Sequence, residues 1–157
     1  MMKFSVKLDV KPLKSIQKNL EVIRSSSVEV GFFPEDQYGP ENENLHVAAV
    51  AQMQQLGADK YPARPFFYDT VEDRATIAGI AYRMRQLVIE NVFSGGVRVL
   101  SKSLKGVGEY FAEELRFAID NYPGRNSDSW AEQKGFNDPL RHTDRMLKSV
   151  KVKVKNK

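Results

Sequence analysis

Two apolar stripes with helical spacing lie in the middle of the sequence, and they constrain its fold more than any other feature. In each stripe, apolar residues recur every three or four positions, which places them along one face of an α-helix. The first stripe contains Ile77, Ile80, Ala81, Met84, Leu87 and Val88, and the second contains Leu100, Leu104, Val107, Phe111, Leu115, Ala118 and Ile119. Gly95 and Gly96 separate the stripes, and glycine is a poor helix former. We therefore expect two long helices that form an antiparallel pair and pack on a sheet.

Alternation of apolar and polar residues near both ends of the chain predicts the strands of that sheet. The apolar members are Met2, Phe4, Val6 and Leu8 in the first segment, Val28, Val30 and Phe32 in the second, and Val150, Val152 and Val154 in the last. The sequence thus predicts an α+β fold, with a single domain over residues 1–157. Its sheet is small and mainly antiparallel, includes N- and C-terminal strands, and is packed by the two long central helices and by shorter helices.

Polar residues that accept hydrogen bonds from free backbone N–H groups predict where the shorter helices begin. Asn44 precedes an alanine-rich apolar segment, and Thr143 precedes a short segment near the end of the chain. Thr70 with Asp73 resembles a capping box, with Asp in place of the preferred Glu. We therefore expect helices to begin near these three positions.

Two segments, residues 34–44 and 125–142, are rich in turn-forming and charged residues. This composition predicts long loops or arms. Between the predicted helices, Pro62 and Pro65 push the residues before them out of the helical region. Residues 61–65 are therefore expected to be extended, with the aromatic residues Phe66, Phe67 and Tyr68 directly after them.

Composition excludes several classes of chemistry. The chain has 157 residues, a net charge of +4 and no cysteine. The lack of cysteine excludes disulfides, thiolate nucleophiles and cysteine-ligated metal sites. The sequence has no apolar segment long enough to span a membrane, and its N-terminus lacks the apolar centre of a signal peptide. We expect synthesis in the cytoplasm and no membrane partner.

No constellation of residues predicts catalysis. His46 and His142 are far apart in sequence and lack the spacing of paired metal ligands. The sequence also contains no nucleophile elbow, phosphate-binding loop or dinucleotide fingerprint. We expect no enzyme activity, no cofactor, no metal and no catalytic residues. A metal-dependent nuclease, with acidic residues at 35–36 and 132 beside Lys134, is the least weak enzymatic alternative.

Lys151, Lys153 and Lys155 alternate with the valines of the last predicted strand. They are candidates for contact with DNA phosphates or with an acidic partner. We favour a solvated face of the sheet, or lysines that prevent pairing of its edge with other chains, because only one short strand carries the pattern. The first interpretation supports a basic accessory protein that binds nucleic acid.

Four blocks of sequence occur in order: VEVGFFPE (28–35), VAAVAQMQQLGA (47–58), YPARPFFYDTVED (61–73) and KGFNDPLRHTDRMLKSVKVKV (134–154). Together they resemble a family of small tail-completion or neck proteins of tailed bacteriophages. They are similar to a strand ending in V-G-F, an alanine-rich helix ending in F/L-G, a P-x-R-P-F-F segment and a final K-G-x-x-x-P-L-x-D-T-G-x-M-x-x-S-V pattern. Residues 142–145 read HTDR, so the glycine of the D-T-G motif is absent here.

The resemblance implies a structural virion protein that forms a ring, commonly of six copies, at the head–tail junction. It implies as partners other copies of the chain, tail terminator proteins, and head-completion or connector proteins of the neck. It also implies a location in the virion neck or head-proximal tail end, with passing contact to phage DNA in the channel. A tail terminator subunit is a related alternative.

Within that interpretation, three surfaces are candidates for contacts. Subunit-interface candidates are Tyr61, Pro62, Arg64, Pro65, Phe66, Phe67, Trp130, Phe136, Arg141 and Arg145. A loop facing the channel or an adjacent ring would contain Glu35, Asp36, Gln37 and Tyr38. The segment 125–145 is expected to be an arm that becomes ordered on assembly.

Overall fold

A computed structural model describes residues 10–58, 62–94, 97–141 and 143–156 of the chain. Its elements, in order, are α1 (Lys11–Ser25), β1 (Ser26–Gly31), a 3₁₀ turn (Pro40–Asn42), α2 (Val47–Leu56), α3 (Phe66–Glu72), α4 (Arg74–Ser94), α5 (Val97–Asp120), α6 (Asp128–Lys134), α7 (Arg145–Lys148) and β2 (Lys151–Asn156). The predicted α+β class is confirmed. The predicted N-terminal strand at residues 2–9 lies outside the described residues.

The sheet in the described part of the chain consists of β1 and β2, which pair antiparallel. Val28 lies opposite Val154, and Val30 lies opposite Val152. These four valines pack toward the interior, as the alternation of the sequence predicts. The predicted strand 28–32 ends earlier than expected, because regular pairing stops at Gly31.

Helix α5 contributes buried residues to both apolar clusters of the core. Its apolar stripe contributes Leu115 and Ile119 to one buried cluster, with residues from α2, α3 and α7. It contributes Leu100 and Leu104 to a second cluster, with Leu87 of α4. Because the sheet valines contact both clusters, α5 and the sheet together join the two halves of the core.

Gly108 allows α5 to lie directly on the sheet. A Cβ atom at this position would come within 2.5 Å of a Val152 methyl group and 2.6 Å of a Val28 methyl group. Glycine weakens an isolated helix, but here the missing side chain sets the distance between helix and strands. Glycine is a poor helix former at this position, but the packing of α5 on the sheet requires it.

The residues predicted to cap these helices, Asn44, Thr70 and Thr143, do not cap them, although α2 and α7 begin within three residues of Asn44 and Thr143. Asn44 has a positive φ of 54°, and α2 begins only after His46. Thr70 is buried inside α3, where its hydroxyl donates to the Phe66 carbonyl at 2.7 Å. Asp144, rather than Thr143, directly precedes α7. The apolar neighbours decided these boundaries, since burying Phe66 begins α3 four residues before the predicted cap.

Candidate interaction surfaces

The segment 62–68 contributes to the fold of its own chain through Arg64. The Arg64 backbone N–H donates to the Gln54 carbonyl at 2.7 Å, and its guanidinium donates to the Gln54 side-chain oxygen at 2.7 Å. The guanidinium also reaches the Pro139 carbonyl at 3.5 Å. Partial burial lowers the pKa of Arg64. Arg64 therefore joins α2 to the segment before α7, while Pro62 remains exposed and Pro65 is half-buried.

The two phenylalanines after Pro65 anchor α3 in the core. Phe66 is buried and meets Phe32 edge to face, with ring centroids 6.2 Å apart. Phe67 meets Phe111 in the same way at 5.9 Å, and its backbone N–H donates to the Gln55 side chain at 2.9 Å. The aromatic cluster thus has an intramolecular role. Tyr61, the other aromatic interface candidate here, lies outside the described residues.

An open apolar groove of about 490 Å³ runs beside these aromatic residues. Its walls come from the end of β1, from α2 and from α3, and include Val30, Phe33, Ala48 and Tyr68. Of these, Tyr68 is exposed. The outer surface of segment 62–68 therefore combines an apolar groove with exposed Tyr68 and Pro62.

The lysines of β2 contact carboxylates of their own chain. Lys151 lies 2.6 Å from Asp36, Lys153 lies 2.6 Å from Glu35, and Lys155 lies 2.6 Å from Glu29. The hydrogen bond from Lys153 is the main cause that lowers the pKa of Glu35. These three charges, proposed from the sequence as contacts to phosphate or an acidic partner, are compensated within the chain.

The first half of the loop at 34–44 contacts the rest of the chain. Arg145 donates two hydrogen bonds to the Gln37 carbonyl, at 2.8 and 3.1 Å. Tyr38 packs against the core, and burial raises the pKa of its hydroxyl. Contact of this loop with a channel or an adjacent ring stays a prediction.

Arg141 ties the end of α5 to the start of α7. Its guanidinium lies 3.0 Å from Asp120 and 3.0 Å from Asp144, with Asp138 at 3.9 Å. The hydrogen bond between Arg141 and Asp144 raises the pKa of the arginine and lowers that of the aspartate. Asp144 has a positive φ of 53°, so this contact also holds a strained turn where the family motif carries glycine.

The segment 125–141 is folded back on the body rather than extended. It contains α6, and buried Asn126 bonds across the loop to the Asn137 side chain at 2.7 Å and the Asp138 carbonyl at 3.2 Å. Trp130 and Phe136 are partly exposed, and Lys134 lies 4.5 Å from the Phe136 ring centre. These contacts within the chain hold the segment in place. Ordering through assembly is therefore not needed to explain its structure.

A set of exposed apolar residues that the sequence analysis missed belongs to α4. Leu87 of the predicted stripe is buried, whereas Ile77, Ala81, Met84 and Val88 are exposed. A second exposed set on the same helix contains Tyr82, Ile89 and Phe93, and Phe93 is 75% exposed. The signal was present in the sequence, because apolar residues occur on more than one face of α4.

Comparison of the chain with protein-family models, curated protein sequences and solved structures gave no match. Within the described residues, no helix combines the length and apolar character needed to cross a membrane. Among the same residues, no three histidine or acidic side chains converge in a way that could hold a metal ion.

Proposed function

We propose that this chain is a structural subunit of a tailed-bacteriophage particle, a ring-forming tail-completion or neck component at the head–tail junction. The four ordered blocks of sequence support the proposal, because each has a defined place in the fold. The first forms β1 and its exit, the second α2, the third the Arg64 anchor and α3, and the last α7 and β2.

The exposed apolar surface of α4 is the observation that carries this function. Ile77, Met84 and Val88 form one stripe, and Tyr82, Ile89 and Phe93 repeat the same spacing five residues later. At 3.6 residues per turn, the two stripes lie roughly 140° apart around the helix. Buried Leu87 faces the core on a third side, so both stripes face outward.

Two distinct apolar stripes on one helix suit a subunit that other proteins of the particle cover on two sides of α4. An extended apolar surface is uncommon on a free monomer and is typical of a protein that is buried in an assembly. The alternative of a basic nucleic-acid-binding protein is less well supported, because the β2 lysines are paired with Glu29, Glu35 and Asp36.

Particles of the phage that encodes this chain provide the test. We expect quantitative mass spectrometry of purified virions to detect the protein at a few copies per particle, consistent with one ring. Particles made without the gene should accumulate heads and tails that fail to form stable, infectious virions. Purified infectious particles that lack the protein would contradict the proposal, and a host protein of similar abundance controls for contamination.

A further inference from the structure

Helix α5 carries its charges in two separate groups. Arg98, Lys102 and Lys105 lie in its first half, whereas the second half contains Glu109, Glu113, Glu114 and Asp120, with Arg116 as the one cation there. This order opposes the helix dipole, which favours acidic residues at the start and basic residues at the end. Like charges four residues apart, such as Arg98 and Lys102, also weaken a helix. The fold of the monomer therefore does not explain the arrangement.

The first half of α5 presents what we call the basic ridge, formed by Arg98, Val99, Lys102, Lys105 and Gly106. Its cations follow the spacing of one helix face, and Val99 beside them is 47% exposed. Within the described part of the chain, none of the three cations lies within 4 Å of a carboxylate. The ridge thus differs from β2, whose three lysines all have carboxylate partners.

Gly106 lies on the same side of the helix as Val99, and the described part of the chain shows no packing reason for a glycine there. A Cβ atom at Gly106 would meet none of the described atoms within 4 Å, whereas one at Gly108 would collide with the sheet. Glycine within a helix is unfavourable relative to alanine. Without a side chain, this position on an exposed apolar and basic face leaves space for the close approach of another molecule.

The second half of α5 borders a groove of about 330 Å³ against α3 and the start of α4, which we call the acidic groove. Asp69, Asp73 and Glu114 line it together with Thr70 and Thr76. Phe117 also lines it and is 66% exposed. Burial is the main cause that raises the pKa of Tyr110, and Glu114 and Asp73 raise it further, whereas the Arg83 guanidinium, 3.7 Å from the centre of the Tyr110 ring, lowers it.

The ridge and the groove cannot meet within one molecule. Lys102 and Phe117 are on the same helix, and at 1.5 Å per residue they lie roughly 22 Å apart along its axis. Contact between the two surfaces therefore requires a second copy of the chain, and each surface offers the charge and shape that the other lacks. The ridge supplies cations, an exposed valine and a position without a side chain, and the groove supplies carboxylates and an exposed phenyl ring.

We propose that the basic ridge of one copy docks against the acidic groove of the next, with Phe117 seated over Gly106 and Lys102 and Lys105 facing the groove carboxylates. The inference rests on the proposed function, and it names the surfaces through which copies contact each other. Since the two surfaces differ, the contact is head-to-tail, and repeated contacts continue beyond two copies until they close.

Sedimentation velocity of the full chain at low salt tests this contact. We expect wild-type protein to form species larger than dimers, and added salt to weaken them because the charges are solvent-accessible. The ridge variant Lys102→Glu/Lys105→Glu and the groove variant Asp69→Asn/Phe117→Ala should each weaken self-association by at least about tenfold. Circular dichroism checks that each variant is folded. An equimolar mixture of the two variants should recover pairs but stop at two copies, because only one functional ridge and one functional groove remain.

Gly106→Ala separates packing from charge. We expect this variant to melt at a higher temperature than wild type and still to associate less well.

Unchanged association of the ridge, groove and Gly106 variants, or wild-type protein that stays monomeric at low salt, would overturn the inference. Loss of binding to a short DNA duplex in the ridge variant, with self-association intact, would instead assign the ridge to nucleic acid. Virion content tests the proposed function separately, so particles containing the protein alongside variants that associate normally would contradict only this contact.

Discussion

The two long helices are similar in length and in apolar content, yet they behave differently. Helix α5 buries one continuous stripe, including Leu104 and Leu115, and supports both halves of the core. Helix α4 buries Leu87 but leaves most of its apolar residues in contact with solvent. The difference shows that helical spacing predicts a helix and does not by itself identify which face finds a partner within the chain.

This comparison assigns different requirements to the two helices. The buried residues of α5 are constrained by packing inside the monomer, so their substitution should change its stability. Exposed residues of α4 are constrained by nothing that the described part of the monomer contains. If the exposed residues of α4 serve assembly, their substitution should leave the monomer folded and change only its incorporation into particles.

Leu115→Ala should have the largest effect. Leu115 is fully buried between α2, α3 and α7, so its truncation removes apolar contacts and leaves a cavity. We expect the free energy of unfolding to fall by about 2–5 kcal/mol in urea denaturation. The matched control is Met84→Ala on α4, which should cost less than about 1 kcal/mol because Met84 is exposed. Equal losses for the two variants would remove the distinction between the helices.

Gly108→Ala should come next, because a methyl group there collides with Val28 and Val152. We expect α5 to shift on the sheet, with a loss of about 1–3 kcal/mol in the free energy of unfolding. Gly106→Ala, two residues earlier, is the control and should stabilise the monomer by up to about 1 kcal/mol. Thermal unfolding of the two variants, measured side by side, shows whether each substitution stabilises or destabilises the monomer. A stabilised Gly108→Ala variant would show that the approach of α5 to the sheet is not fixed by this glycine.

Much of this architecture could be predicted from the sequence, because periodicity reports local structure directly. The spacing of Leu100 to Ile119 predicted α5, and the alternation of valines and lysines predicted β2. Boundaries were less predictable, since Thr70 offered a cap that burial of Phe66 overrode. Tertiary contacts decided that competition, and they are not encoded in any local pattern.

The candidate surfaces were harder to predict, because exposure depends on which elements meet. Arg64 was proposed as an interface residue, but Gln54 and Pro139 hold it within the chain. The lysines of β2 looked free until the loop at 34–37 brought Glu35 and Asp36 beside them. Apart from Gln54, which is ten residues from Arg64, these partners are distant in sequence, so composition alone gave no sign of them.

The junction between α3 and α4 provides a smaller test that depends on pH. The Asp73 carboxylate accepts a hydrogen bond from the Thr76 backbone N–H at 2.7 Å, and this bond is the main cause that lowers the pKa of Asp73. A lowered folded-state pKa stabilises the protein above the ordinary pKa of Asp, and that contribution is lost as pH falls through the folded-state value. We expect Asp73→Ala to lower the melting temperature at neutral pH and to lose this deficit in acid.

Asp73→Asn is the control, because asparagine also caps helices but does not titrate. The Asp73→Asn variant should keep most of the stability at neutral pH. Residue 73 should then make no pH-dependent contribution to the melting temperature in acid. A deficit of Asp73→Ala that persists unchanged in acid would show that the charged cap does not support the start of α4. Helices α3 and α4 would then be separated by a structural break alone.

Substitution of the exposed α4 residues should have the smallest effect on the monomer. Ile89→Gln/Phe93→Gln replaces two exposed apolar side chains with polar ones, so the free energy of unfolding should change by no more than about 0.5 kcal/mol per site. Incorporation into phage particles, measured by mass spectrometry after complementation, should nevertheless fall strongly, because the apolar stripe can no longer be buried favourably. Lys14→Gln/Lys18→Gln, on the exposed face of α1, matches the number of substitutions and should not change incorporation. If the α4 variant assembles as well as this control, the exposure of α4 has no role in assembly, and the contrast with α5 reduces to a difference in packing.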